Sequence, residues 1–369
     1  MKSRDRRLNA ATTMRSLAGR SAYNGWIDSR KYDEIIYEEN DSRIAILWYD
    51  IGMKFSKALI VFAAVSAAAL VAGAEEPKPE TAKPLKVLMI GNSFSVCNLH
   101  YMPSVAKNLG CKLDLCNLYI GGCTFDRHAG NLKTSWPQYG VKWNYEGDTG
   151  TNAVPFMALL SHPKEKSGKE KVKEWKGNLR KMIAADKWDI VTIQQGSSHS
   201  WDWSKYQPHA DKLIAAVKEL APQAEIRIQQ TWSYCNADKR ICNPTNGLAG
   251  TWGFDRRGMY ERLTENYNKL AAANGFKIIP TGLAIENFRA AEKIDGWEGD
   301  LVGNIRKTKN GPTGDPIHLN RNGEFLQGLV WTGAIFGVDI TKCTYVPDGM
   351  KPELAAKIRA AAAAALEAR

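Results

Sequence analysis

Short apolar runs alternating with longer amphipathic ones constrain this chain more than any other feature. The apolar runs are "LKVLMI" from Leu85, "KLDLCNLYI" from Lys112, "WDIVTIQQ" from Trp188, "AEIRIQQTW" from Ala224 and "FKIIP" from Phe276. Between and after them lie "YMPSVAKNL", "YQPHADKLIAAVKELA", "RRGMYERLTENYNKLAAANG" and "NRNGEFLQGLVWTGAIFG". The first set reads as strands with both faces covered, and the second as helices, one of them stopped by Gly275. Strands alternating with helices in this way predict a three-layer α/β/α sandwich around a central, mostly parallel sheet. In such sheets the chemistry collects beyond the carboxyl ends of the strands.

The residues before Leu85 read differently. Residues 53–74, "MKFSKALIVFAAVSAAALVAGA", have a basic start, an apolar middle and small residues at the end, the layout of a secretory signal peptide. Cleavage after Ala74 would start the mature chain near Glu75 and place it outside the cytoplasm, secreted or periplasmic. Residues 1–52 then read as a mis-called or disordered extension; the alternative is a cytoplasmic segment ahead of a signal anchor. Residues 75–84, rich in Pro, Glu and Lys, read as a linker. The main domain is expected over 85–345, followed by an alanine-rich packing helix within 346–369.

The formal net charge is +11. Much of the excess lies in "HPKEKSGKEKVKEWKGNLRK", which suits a solvated helix face or attraction to acidic polysaccharide. No nucleic-acid motif accompanies it. An exported chain can form disulfides, and Cys235 with Cys242 would close a short loop. No Cys/His spacing suggests zinc, and no cofactor is expected.

Polar residues follow each strand: Asn92 and Ser93; Gly121, Gly122 and Cys123; Gln194, Gln195 and Gly196; then Thr231 and Trp232. Before the last core helix stands "GDPIHLN", with Asp315 and His318 in what reads as a loop. A serine hydroxyl attacks well only when a base takes its proton, and the base works best when a carboxylate orients it. Taken singly, Ser93 could cap a turn and Asp315 a helix. Taken together, the four strand ends and D-x-x-H fit a nucleophile–base–carboxylate set.

The order of these blocks resembles the SGNH (GDSL-like) hydrolase superfamily. "GNSFS" is similar to its first block, with Asn92 where an aspartate is usual. "YIGGCT" is similar to the second, "DIVTIQQGSS" occupies the third and "DPIHLN" the fifth. In a bacterial branch described as a domain of unknown function, IGNSFS, QQGS, TW-x-Y and D-x-x-HL recur together; this chain is similar to it with "IGNSFS", "QQGS", "TWSY" and "DPIHL", and "IIPTGLAIENFR" also resembles it. The resemblance implies Ser93 as nucleophile, His318 as general base and Asp315 as its orienting carboxylate. It implies an oxyanion hole from the N–H groups of Ser93 and Gly122, with Gly121 the near alternative. The usual third-block asparagine falls at Ser198, so Gln195 is the candidate for the third donor. Asn92, His128, Trp201 and Trp232 are candidate substrate contacts, the tryptophans by stacking on sugar faces. The expected substrate is a small-molecule or carbohydrate ester. A non-catalytic carbohydrate-binding protein and a hydrolase of glycosidic bonds are the alternatives.

Overall fold

The structure, a computed structural model, describes residues 83–145, 154–161, 175–243, 246–309 and 311–368. The signal peptide at 53–74, the extension at 1–52, nearly all of the 75–84 linker and the first part of the basic run lie outside the described residues. All described residues belong to one structural unit, Pro77–Arg369.

The apolar runs form a seven-stranded sheet. Its strands are β1 (Leu85–Gly91), β2 (Leu113–Tyr119), β3 (Tyr139–Asn144), β4 (Lys176–Gly177), β5 (Ile190–Ile193), β6 (Glu225–Gln229) and β7 (Lys277–Ile279). They lie in the order β4-β3-β2-β1-β5-β6-β7. The five central and right-hand strands are parallel, while β3 and β4 extend one edge antiparallel. The last five residues of β1 and all of β5 are buried, as strands covered on both faces must be. β1 stands between β2 and the later strand β5. The strand order therefore reverses there, and such a reversal leaves a crevice beyond the strand ends.

Nine described helices surround the sheet: α1 (Ser93–Val96), α2 (Asn98–Asn108), α3 (Phe125–Asn131), α4 (Leu179–Ile183), α5 (His209–Leu220), α6 (Arg256–Asn274), α7 (Thr281–Ala291), α8 (Arg321–Phe336) and α9 (Pro352–Glu367). α2, α7, α8 and α9 pack with one another, and α3, α4 and α5 form a second group. α8 is buried at every position from Phe325 to Ile335, as befits a helix that is apolar all round and central in its layer. α6 ends at Gly275, which takes the left-handed conformation at φ 69°.

Three readings of the sequence need correction. "GDPIHL" is not a loop: β8 (Val302–Thr308) and β9 (Gly311–Leu319) form a separate antiparallel hairpin. The alanine-rich packing helix belongs to the domain itself and is not a separate segment after residue 345, because α9 buries Ala355, Ile358, Ala361, Ala362 and Ala365 in the common core. All seven cysteines are free thiols, with Cys235 buried and the Cys242 Sγ directed at the Asn243 carbonyl.

Candidate active site

β1 delivers the chain into the crevice and stops. Asn92 is extended, and its Oδ1 accepts the Phe94 N–H at 2.9 Å, starting α1 at Ser93. The Asn92 amide also donates to the Cys123 carbonyl at 3.0 Å and accepts from the Gln194 amide at 2.7 Å. One buried side chain thus ties the ends of β1, β2 and β5 together. The Phe94 carbonyl in turn accepts from the Gln327 amide of α8 at 3.0 Å. Ser93, half-buried, sits on a turn held from several sides.

The hairpin supplies the other half. The Trp232 indole N–H donates to the Ile317 carbonyl at 2.9 Å, and the Cys235 N–H donates to the Pro316 carbonyl at 3.1 Å. These bonds fasten β9 across the segment that follows β6. His318 then places Nε2 at 2.7 Å from the Ser93 Oγ, and its Nδ1 at 2.5 Å from the Asp315 Oδ2. The other Asp315 oxygen accepts the N–H groups of Ile317 and His318 at 2.9 and 3.2 Å. Burial acts to raise the Asp315 carboxyl, but those two N–H groups and the imidazole outweigh it and leave it below the usual carboxylate range. An ionised Asp315 takes the Nδ1 proton as its hydrogen bond, so the bare Nε2 lone pair faces Ser93 and accepts from its hydroxyl.

An aromatic floor lies under this chain of bonds. Phe94 stacks on Trp232 with centroids 4.0 Å apart and meets the His318 ring edge-on at 5.5 Å. The imidazole is therefore held by Asp315 at one end and packed against Phe94 at its side.

The remaining sequence candidates separate clearly. Gly122 is exposed at φ 61°, a conformation that favours glycine, and no acceptor in the described chain takes its N–H or that of Ser93. Its neighbour Cys123 is bonded to Asn92, the neighbour of Ser93, so the two N–H groups belong to adjoining turns. Gln195 is a correction: it is fully buried, its Oε1 accepts from Phe125 and Gly196, and its amide donates to the Lys205 carbonyl at 2.8 Å. Fully buried, the side chain presents no N–H at the surface where an oxyanion would form. Asn92 is likewise buried and engaged, so it shapes the turn and cannot contact substrate.

Trp232 and His128 are corrections too. Both are fully buried; Trp232 is the floor beneath His318 and offers no face to a sugar. The His128 Nδ1 lies 2.7 Å from the Tyr139 hydroxyl, inside the core. Trp201 is half-buried, packed on Trp252 and Phe254 at 5.2 and 5.1 Å. Sequence reasoning gave no role to Phe94, Gln194 and Gln327, which brace the Ser93 turn, or to Tyr234, whose hydroxyl meets the Ser197 Oγ at 2.9 Å. The "QQ" doublet was a visible signal for Gln194, and "TWSY" for Tyr234. Among the described residues no group of three or more His, Cys, Asp or Glu is placed to hold a metal ion.

The sequence and the fold both have relatives. A family model described as a domain of unknown function, DUF4886, matches residues 164–365, more than half of the chain. No curated protein matches. The crystal structure of a DUF4886 family protein from Bacteroides uniformis shares 25% identity over 77% of this chain and 95% of its own, with a TM-score of 0.60. A protein assigned as a GDSL-like lipase from Parabacteroides merdae shares 14% identity over 70% of this chain and 98% of its own, at 0.38. Phospholipase A1 from Streptomyces albidoflavus shares 10% over 68% and 98%, at 0.36.

Proposed function

The chain belongs to the DUF4886 family, and from the geometry at the end of β1 we propose that it is a serine hydrolase of SGNH type that removes acyl groups from carbohydrate. The observation that carries this reading is the chain of bonds Ser93 Oγ–His318 Nε2, 2.7 Å, and His318 Nδ1–Asp315 Oδ2, 2.5 Å, joining groups 225 residues apart. A capping serine and a surface histidine have no reason to meet in this way.

His318 takes the hydroxyl proton as Ser93 attacks the ester carbonyl, and Asp315 stabilises the imidazolium that results. The N–H groups of Ser93 and Gly122 receive the oxyanion. His318 then gives its proton to the departing sugar hydroxyl, and water, deprotonated by the same nitrogen, releases the acyl group and restores Ser93. Export through residues 53–74 is part of the reading, since it would bring the enzyme to extracellular polysaccharide; N-terminal sequencing of secreted protein tests it.

One observation favours a second reading, a carbohydrate-binding protein without catalysis. Gln195 is fully buried and bonded within the core, so the third oxyanion donor, a group worth about 10²–10³ in rate, does not come from that side chain. Hydrolysis of p-nitrophenyl acetate separates the two. The esterase reading expects Ser93→Ala and His318→Ala each to lower kcat at least about 10³-fold. Equal turnover in both variants and the parent would leave the binding reading.

A further inference from the structure

A cavity of about 430 Å³ opens on the flank of the triad, lined in part by His100, Tyr101, Asn304, Arg321, Tyr345 and Asp348. Its walls are the triad's own elements continued one step outward. The Cys97 Sγ contacts the Ser93 carbonyl at 3.5 Å, and the His100 N–H donates to the Cys97 carbonyl at 3.2 Å. Ser93 opens α1 and His100 lies in the first turn of α2, and Cys97, which joins the two short helices, contacts both residues' backbones. Asn304 pairs with Asp315 across the hairpin, and Arg321 opens α8 just after His318.

We propose that this cavity is a sugar subsite, holding a neutral pyranose ring of the substrate while its ester lies at Ser93. The inference rests on the esterase reading for the placement of the ester, but not for binding itself. The wall chemistry selects the ligand class. The His100 Nδ1 is paired with Glu324 at 2.8 Å; that bond and the Glu324 charge raise the imidazole above its usual value, against partial burial and the charges of Lys142 and Arg321, and favour a form whose Nε2–H is a donor. Arg321 and Asp348 form no ion pair among the described residues, leaving one free donor fork and one free acceptor. Tyr101 and Tyr345 flank Phe325, each with centroids 6.1 Å from it, and bring two phenol rings to the wall.

An acyl chain would leave these polar groups unpaired, which is costly. An anion would meet Glu324 and Asp348. A polyhydroxylated ring matches both donors and acceptors and offers an apolar face to tyrosine, and the volume lies within the range of small-ligand sites.

The test compares O-acetylated xylo-, cello- and manno-oligosaccharides with p-nitrophenyl acetate, which has no sugar. In Arg321→Ala and in His100→Ala, kcat/KM on the best oligosaccharide should fall about tenfold relative to p-nitrophenyl acetate, with the change in KM. A ratio within twofold of the parent in both variants overturns the subsite. Titrating Ser93→Ala protein with the deacetylated oligosaccharides, followed by NMR, reads the pocket without turnover. Shifts that vanish in the Ser93→Ala, Arg321→Ala double variant support it even if Ser93 never acts as a nucleophile. No shift with any oligosaccharide on folded protein overturns it even if the esterase reading stands.

Discussion

His128 stands in the core with its Nε2 unpartnered, its Nδ1 against Tyr139, and Asn131 bonded to the same hydroxyl. Burial, aided by Arg127, lowers it from 6.5 to about 3. The folded protein therefore keeps this ring neutral where the unfolded chain protonates it. Its contribution is full above about pH 6.5, shrinks as the pH falls through that value and is gone near 3. Acidifying from pH 7 to 5 should cost on the order of 2 kcal/mol through this group alone. Urea unfolding at both pH values checks it: His128→Asn and His128→Gln should flatten the pH dependence by that amount, and an unchanged slope would show that the ring titrates normally. At this scale the reacting groups were legible, because few residue types can do the chemistry and Ser93, Asp315 and His318 stood at strand ends or beside a helix. Orientation was not. Gln195 and Asn92 occupy the expected turns, but their amides face inward to carbonyl and N–H groups that only the folded chain brings close.

The hairpin that carries Asp315 and His318 is the element the sequence concealed. "VGNIRKT" and "GPTGDPIHL" have two prolines and three glycines, and only Val302 and Leu319 are buried, so no apolar alternation marks them. The hairpin is fastened at its base instead. Asp300, buried, accepts from Arg289 at 2.8 Å and from the Val302 N–H at 3.1 Å, while its carbonyl accepts from Asn320 at 2.7 Å. Arg289 also donates to Ser233 and Glu286, tying α7 and the segment after β6 to the same point. Removing Arg289 strips the buried Asp300 of its hydrogen-bonded partner and leaves only the longer Arg256 pair at 3.9 Å, so Arg289→Met should cost about 3–5 kcal/mol. Replacing both, Arg289→Met with Asp300→Leu, should recover much of that loss. Denaturant titration of the two variants measures the difference; equal losses would mean the pair is not coupled. β3 was hidden for a related reason, since a strand with only three buried positions reads as a polar, aromatic stretch.

At the scale of the whole molecule the alternation of runs was sufficient to indicate the sheet, and the crevice follows from β1 lying between β2 and β5. What alternation could not convey is that the final helix belongs to the core. Alanines bury little area each and give no strong apolar signal, yet α9 packs on α7 and α8 along its length. Truncation after Met350 should therefore abolish cooperative unfolding by circular dichroism, whereas removal of an appendage would leave the transition in place. The helix is far from the triad in sequence, so lost activity in that truncation would follow lost folding.

The central claim is that Ser93 is activated by His318. A fluorophosphonate probe tests it without knowledge of the substrate, because it phosphonylates only a serine whose proton has a base to take it. Intact-mass and peptide analysis should find one adduct, on Ser93, that is absent from folded His318→Ala. No adduct on the folded parent protein, or equal labelling in His318→Ala, would contradict the account.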